Sequence, residues 1–277
     1  MTSITVSAPS AGRGSHEKRL PLPARNLLLA LLGIGSILIA AELSSRLGLV
    51  DPRFVPPVSE IVLQIGQELG SATLWSSVLL TMGGWGLGLL IALAIGVPVG
   101  LICGLVDPIY YALRPIIEFL RPVPSVALIP LAIIMFGAGM ESKVFLAAFA
   151  STWPILVQTI YGMRDLDPLQ FDVARSARVG TRRMILNVLI PSSFPYVVTG
   201  IRLASAISLA LVVSTEIIIG APGLGSLINV SRSSGNVPEM YALIFVTGCL
   251  GVLINIVMVQ IERRLLNWHV SHRKAGS

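Results

Sequence analysis

DPLQFDVARSARVGTRRMILNVLIP, residues 167–191, is the longest polar interruption between two strongly apolar segments in the second half of the chain. It carries Arg175, Arg178, Arg182 and Arg183, and Arg164 stands just ahead of it. Asp167 can cap a helix with its carboxylate, and Pro168 suits the first helical position, where no N–H is needed. Leu169 to Val179 holds no helix breaker, and Gly180 supplies a left-handed residue to end the helix. Thr181 can cap a second helix whose Met184, Ile185, Val188 and Leu189 share one face, until Pro191 interrupts it. The stretch reads as a short helix, a turn and a surface helix presented on one side of a membrane.

The membrane itself follows from composition. Of 277 residues, 54% are apolar and 12% charged, and the mean hydropathy is +0.82. That charged share is roughly half the soluble norm. The charges cluster and leave long uncharged runs, and about 20 apolar residues cross a bilayer. The runs predict an all-α integral membrane protein with six transmembrane helices near 26–45, 79–105, 119–138, 143–163, 194–219 and 240–261. Backbone groups must satisfy one another in lipid, and the period-2 alternation of a barrel is absent. Placing the N-terminus inside puts Arg46, Arg53, Lys143 and Arg232 outside, which leaves 16 of the 20 Lys and Arg inside. This positive-inside bias predicts that both termini are cytoplasmic, and the expected location is the cell (inner) membrane, as a multi-pass protein. The net charge of +6 is thus a topology signal and an attraction to lipid headgroups, with no basic, aromatic-interleaved stripe for nucleic acid. Cys103 and Cys249 read as small buried residues, and His16, His269 and His272 lie in the tails, so no metal site is indicated.

Along the chain, residues 1–24 read as a disordered cytoplasmic tail and 263–277 as a second tail. The first apolar run reads as an uncleaved helix more readily than a signal peptide. At its outer end, Glu42 and Arg46 either pair at i,i+4 or stand solvated. Val58, Ile61, Val62, Ile65 and Leu69 recur at helical spacing, either as an amphipathic surface helix or as an extension of the second span. Gly84 with Gly88, and Gly96 with Gly100, form GxxxG pairs that suit close packing within one subunit better than a dimer seam. Pro122, Pro124 and Pro130 follow an inside connection, with Pro130 the deepest in its span and the candidate for a functional bend. Arg202 can snorkel to the inner surface, and Glu216 lies about 20 Å further along the same helix, near the outer boundary. Gly223 and Gly225 open the outer loop, 221–239. Pro130, Arg202, Glu216, Gly223 and Gly225 are the candidate translocation-path or gate residues. Glu216 reads more readily as a boundary residue or a structural pair than as a gate residue.

The chain has no GxxxxGK[ST] phosphate loop, no GxSxG or HExxH, and no chain of intramembrane acids for a proton relay. A self-powered pump, a proton-coupled carrier and a hydrolase are therefore disfavoured. Energy has to enter from outside the chain.

Residues 167–191 resemble the cytoplasmic coupling loop of ABC importer permeases, Glu-Ala-Ala followed at fixed spacing by Gly and Ile-x-Leu-Pro. Aligned on Pro191, Asp172 takes the Glu position, Val173 and Ala174 the two Ala positions, and Val188 and Ile190 the closing apolar ones. The family's Gly position is held by Arg178, and Gly180 lies two residues later. FLRPVPSVALIPLAIIMFGAG (119–139) and SFPYVVTGIRLASAISLALVVSTEIIIGAPGLGSLI (193–228) are similar to the nitrate/sulfonate/taurine branch of these permeases.

The resemblance covers roughly residues 55 to 262 and implies the type I ABC importer permease fold, with a core over 75–262 and a coupling loop over 164–191. It implies separate ABC ATPase subunits that carry ATP and Mg, a solute-binding protein and a permease homodimer. The chain itself would be neither an enzyme nor a cofactor carrier. The residues that would couple to the ATPase are Asp172, Val173, Ala174, Arg175, Arg178, Gly180 and Pro191. Cargo by resemblance is a small anion, with a thiamine- or riboflavin-type precursor as the alternative. A membrane anchor or receptor is the alternative class.

Overall fold

A computed structural model describes residues 22–165 and 180–266, and all regular structure among them is helical. The chain divides into two units, Met1–Val58 and Ser59–Ser277. The described part of the first unit is α1, Leu22–Arg46, followed by a short connection. Its side chains Leu31, Ile37 and Ile39 are exposed, as lipid contact requires. Arg46 Nε donates to Glu42 Oε1 at 2.6 Å, so these two residues pair. Ser45 Oγ donates to the Val55 carbonyl and ties the connection back to the helix.

The second unit opens within α2, Val58–Leu69, which has no buried residue. It is a helix in its own right. The chain turns at Gly70, and Ser71 caps α3 by accepting from Thr73 N. Next come α3 (Ala72–Leu105), α4 (Asp107–Leu120), a 3-10 turn (Ser125–Leu128), α5 (Ile129–Phe136) and α6 (Met140–Arg164). Beyond the undescribed residues lie α7 (Thr181–Met184), a π turn (Ile185–Leu189), α8 (Ile190–Ile219), α9 (Leu224–Ser233) and α10 (Val237–Leu265). Five helices or helix pairs are long and apolar enough to cross a membrane, or six if the bent pair of α4 with the turn and α5 counts as one span.

That bent pair departs from the continuous helix expected over 119–138. The two pieces meet at 84°. The break falls at Arg121–Pro124, where Pro122 and Pro124 lack the N–H groups a continuing helix needs. Pro130 makes no bend; it sits in the first turn of α5, where its missing N–H is harmless. With eight residues, α5 is about 12 Å long, far short of the ~30 Å hydrocarbon layer.

The packing of α3 on α6 explains why the chain needs this awkward segment. A Cβ on Gly88 would meet Ala147 Cβ at 2.6 Å, one on Gly96 would meet Ile155 Cβ at 3.1 Å, and one on Gly100 would meet Thr159 Cβ at 2.6 Å. The partners rise together in number, so α3 and α6 run parallel. Residues 106–139 must therefore carry the chain back to the end where α3 began. The GxxxG pairs are contacts within one subunit, bringing two backbones together without side chains between them.

On its other side α6 meets α8 in the opposite sense: Gly162 faces Tyr196, Gln158 faces Gly200, and Ser151 Oγ donates to the Ala204 carbonyl. Trp85 Nε1 donates to Ser205 O at 3.0 Å and Ser208 Oγ to Trp85 O at 3.2 Å, which pins α3 to α8 as well. Leu89, Ala92, Ile155 and Ala204 fill the centre of this three-helix core. Leu74, Leu224, Ile228 and Leu243 seat α9 and α10 against one end. Cys103 is buried, but Cys249, expected inside, is exposed on α10.

Replacing Gly100 by Val would press side-chain atoms into Thr159 and the Leu156 carbonyl. It is expected to lower stability by about 1–3 kcal/mol, read as a lower thermal midpoint of the detergent-purified protein. Gly86→Ala has nothing within 4 Å to meet and should melt like the parent.

Candidate functional site

Two charges meet inside the helix core at the end where α3 begins. Lys143 Nζ lies 2.7 Å from Glu216 Oε1, with the side chains 1% and 0% exposed. An ammonium has three N–H donors. Those of Lys143 reach Glu216, the Leu80 carbonyl at 3.0 Å and the Pro222 carbonyl at 2.8 Å. Thr81 Oγ1 donates across both carboxylate oxygens of Glu216, at 3.0 and 2.9 Å. The same oxygen accepts from Leu224 N at 2.9 Å, while Gly225 N donates to Glu216 Oε2 at 3.0 Å. Burial of an ion pair is tolerable when the remaining donors and acceptors are met this fully.

The local sequence makes room for this pair. Gly84 lets the Lys143 chain pass, since a Cβ there would meet Lys143 Cε at 3.0 Å. Gly220 ends α8 in the left-handed region at φ 70°. Gly223, at φ 156°, has no room for a Cβ because the Glu216 carboxylate occupies that space. Glu216, Gly223 and Gly225 thus come together, along with Thr81 and Lys143, which the sequence reading did not select. Lys143, counted there as an outer flank charge, is the inner partner of Glu216. The available signal was a lone lysine at the start of one apolar run and a lone glutamate near the end of another.

At the opposite end, both flanks of the undescribed stretch 166–179 are tied down. Arg164 Nη2 donates to Asp107 Oδ1 at 2.7 Å and to the Cys103 carbonyl at 3.3 Å, and its guanidinium lies 3.7 Å from the Tyr110 ring centre. Tyr196 OH donates to the Asp165 carboxylate. On the far side, Gly180 leads into α7, and its carbonyl accepts from Met184 N. Pro191 does not stop the helix. The preceding turn widens, with Ile190 N donating to Ile185 O, and Pro191 falls in the first turn of α8. Asp172, Val173, Ala174, Arg175 and Arg178 lie outside the described residues.

Arg202 takes a third position. Its Nη1 donates to Glu262 Oε2 at 2.8 Å, and Thr199 Oγ1 reaches Glu262 Oε1 at 3.4 Å. It lines a cavity of about 620 Å³ between α8 and α10, which neither Pro130 nor Glu216 lines. No cluster able to hold a metal occurs among the described residues.

Removing one partner of a buried, fully bonded ion pair strands the other charge, at about 3–5 kcal/mol. Glu216→Gln and Lys143→Met are each expected to lower the thermal midpoint sharply. The double variant Lys143→Met with Glu216→Met should melt closer to the parent than either single variant.

A profile of the family "Binding-protein-dependent transport system inner membrane component" matches residues 96–267. The taurine transport system permease protein of Escherichia coli (strain K12) is 29% identical over 263 residues, 92% of this chain and 95% of its own. The nitrate import permease protein of Leptolyngbya laminosa is 29% identical over 179 residues, 65% and 64% of the two chains. Bicarbonate transport system permease proteins are relatives too. Among solved structures, a chain of the MetNI methionine ABC transporter in inward-facing conformations superposes with a TM-score of 0.61 at 17% identity, covering 69% of this chain and 95% of that one. The fold is that of type I ABC importer permeases, and the chain belongs to the binding-protein-dependent transport system inner membrane components, as a multi-pass inner-membrane permease subunit rather than an enzyme.

Proposed function

We propose that the chain is the membrane half of an ATP-driven importer for a small anion of the sulfonate, taurine or nitrate kind, working as a homodimer with both termini cytoplasmic. Separate ATPase subunits bind ATP and Mg and dock on the 166–179 stretch through Asp172, Val173, Ala174, Arg175 and Arg178. A solute-binding protein delivers cargo near the opposite end, beside Gly223 and Gly225. Nucleotide-driven closure draws the two coupling stretches together and turns the path outward, and hydrolysis returns it inward.

The observation that carries the anion reading is the α8–α10 cavity, whose lining includes a single charged side chain, Arg202. The relatives' cargoes named above are anionic or zwitterionic, which agrees. A guanidinium that is 43% exposed on a helix otherwise suited to lipid also favours a second copy covering this face. The bonds at Arg164, Asp165 and Tyr196 support the coupling route, since a pull on 166–179 would reach α3, α4 and α8 directly.

Two measurements check this reading. Calorimetry on the solute-binding protein of the same system should give binding of a sulfonate, taurine or nitrate; binding of a thiamine precursor instead would move the cargo to the other class. In proteoliposomes holding the full complex, Asp172→Lys and Ala174→Trp should abolish uptake while the permease still inserts. Normal uptake with normal ATPase retention would remove the docking proposal.

A further inference from the structure

We infer that the cleft between α4 and α6 binds a phosphate group, with Arg121 as its anchor, and that a phospholipid headgroup brings that phosphate. The inference does not depend on the cargo. α5 runs back along α6: Phe136 lies against Phe145, and Ser142 Oγ donates to the Ala132 carbonyl at 3.0 Å. α4 meets this segment at 84° and so lies across the helix core. Its start is held at the end where α6 stops, by Arg164 on Asp107.

α4 has three faces. Leu113 and Ile117 pack on Cys103, Leu156 and Ile160. Ile116 and Phe119 are exposed, Phe119 at 74%. Arg114 and Glu118, four apart, form a charged face that Arg121 continues past the helix end. Ile116 follows Arg114 by two residues and therefore projects on the opposite side of the helix. A helix seated on protein along one side, apolar on a second and charged on a third fits the boundary between acyl chains and headgroups. With the apolar side among the chains, the charged side stands at headgroup height.

The cleft opens beside that charged side, lined by Arg114, Glu118 and Arg121, and by Tyr161 of α6. Its volume of about 80 Å³ has room for ~2–3 waters or one phosphate group. Arg114 Nε donates to Glu118 Oε1 at 2.7 Å. The other donors of Arg114, the whole guanidinium of Arg121 and the Tyr161 hydroxyl have no bond among the described residues. Two guanidiniums against one carboxylate leave one net positive charge in the cleft, which suits a phosphodiester. The planar forks match the spacing of phosphate oxygens, and basic pockets between membrane helices hold anionic headgroups for this reason. The lining is open to a ligand, since Arg121, Glu118 and Tyr161 are all exposed. So are Pro122 and Pro124 at the corner, which gives a headgroup a way in from the bilayer.

The test is native mass spectrometry of the detergent-purified protein, counting the lipid retained on titration with phosphatidylglycerol. Phosphatidylcholine with the same chains is the zwitterionic comparison. The parent should retain phosphatidylglycerol in preference. Arg121→Gln should weaken that retention ~5-fold, the effect of one cation near an anionic lipid. Glu118→Gln should strengthen it by a similar factor, because the opposing charge is gone and Arg114 Nε is released. Arg263→Gln, an equal loss of charge at an exposed position on α10, should leave it unchanged. Soluble glycerol phosphate at the same concentration should not displace the lipid.

No preference in the parent, equal retention by Arg121→Gln, or weaker retention by Glu118→Gln would overturn the site. A loss in Arg263→Gln as large as in Arg121→Gln would also overturn it, by reducing the preference to diffuse charge. Displacement by glycerol phosphate would overturn the assignment to lipid. The altered side chains are exposed, so each variant should melt like the parent and a change in retention reports on the cleft.

Discussion

The contact between Lys143 and Glu216 sets the terms for the rest of the molecule. Two unlike charges at 2.7 Å, almost without solvent, are stable only if every other donor and acceptor nearby is also met. Meeting them draws in α3 through Thr81 and Leu80, α6 through the lysine, α8 through the glutamate, and the turn into α9 through Pro222, Leu224 and Gly225. The glycines follow from this demand: Gly84 clears the path for the lysine, and Gly223 and Gly225 bring backbone up to the carboxylate. A loop that would otherwise be free at the membrane edge is thereby made part of the helix core.

The second constraint is topological. Because α3 and α6 lie side by side in the same direction along a seam of small residues, the chain between them has to return across the membrane. It does so with an amphipathic helix, a proline-broken corner and an eight-residue helix in place of one long span. One face of the short α5 rests on protein, where Ile129 and Ala132 pack on Leu146, Ala150 and Leu211, while Leu131, Ile134 and Met135 stay exposed.

Much of this was legible in the sequence. Helices α1, α3, α6, α8 and α10 arise from uncharged runs, whose lengths are fixed by bilayer thickness, and α2 from a clear apolar stripe. The bent pair was not legible, because hydropathy over 119–138 is as high as in a straight span and records nothing of chain direction. For the site, Glu216, Gly223 and Gly225 were selected, but Lys143 and Thr81 were not. A lysine at the head of an apolar run resembles an interface anchor, and a threonine within one resembles any small helix residue. Their meaning arises only when parallel α3 and α6, with α8 in the opposite sense, bring residues 81, 143 and 216 to one level. Pro191 shows the reverse case: proline implied a stop, and a widened turn absorbed it.

Taken with the family, these contacts describe a wedge of α3, α6, α8 and the turn into α9, gripped at its other end by Arg164 and Tyr196. In the proposed importer the wedge would move as one piece when the ATPases close. The most direct measurement of that claim is a pulsed electron-spin distance between labels at Leu79 on α3 and Val230 on α9, both exposed. Labelled subunits are diluted among unlabelled ones, so that only distances within a subunit are read, and the complex is compared without nucleotide and trapped with ATP and vanadate. A rigid wedge keeps the distance within ~2 Å across the cycle, whereas a shift near one helical turn, ~5 Å, would show that the turn into α9 moves independently of the core and contradict the account.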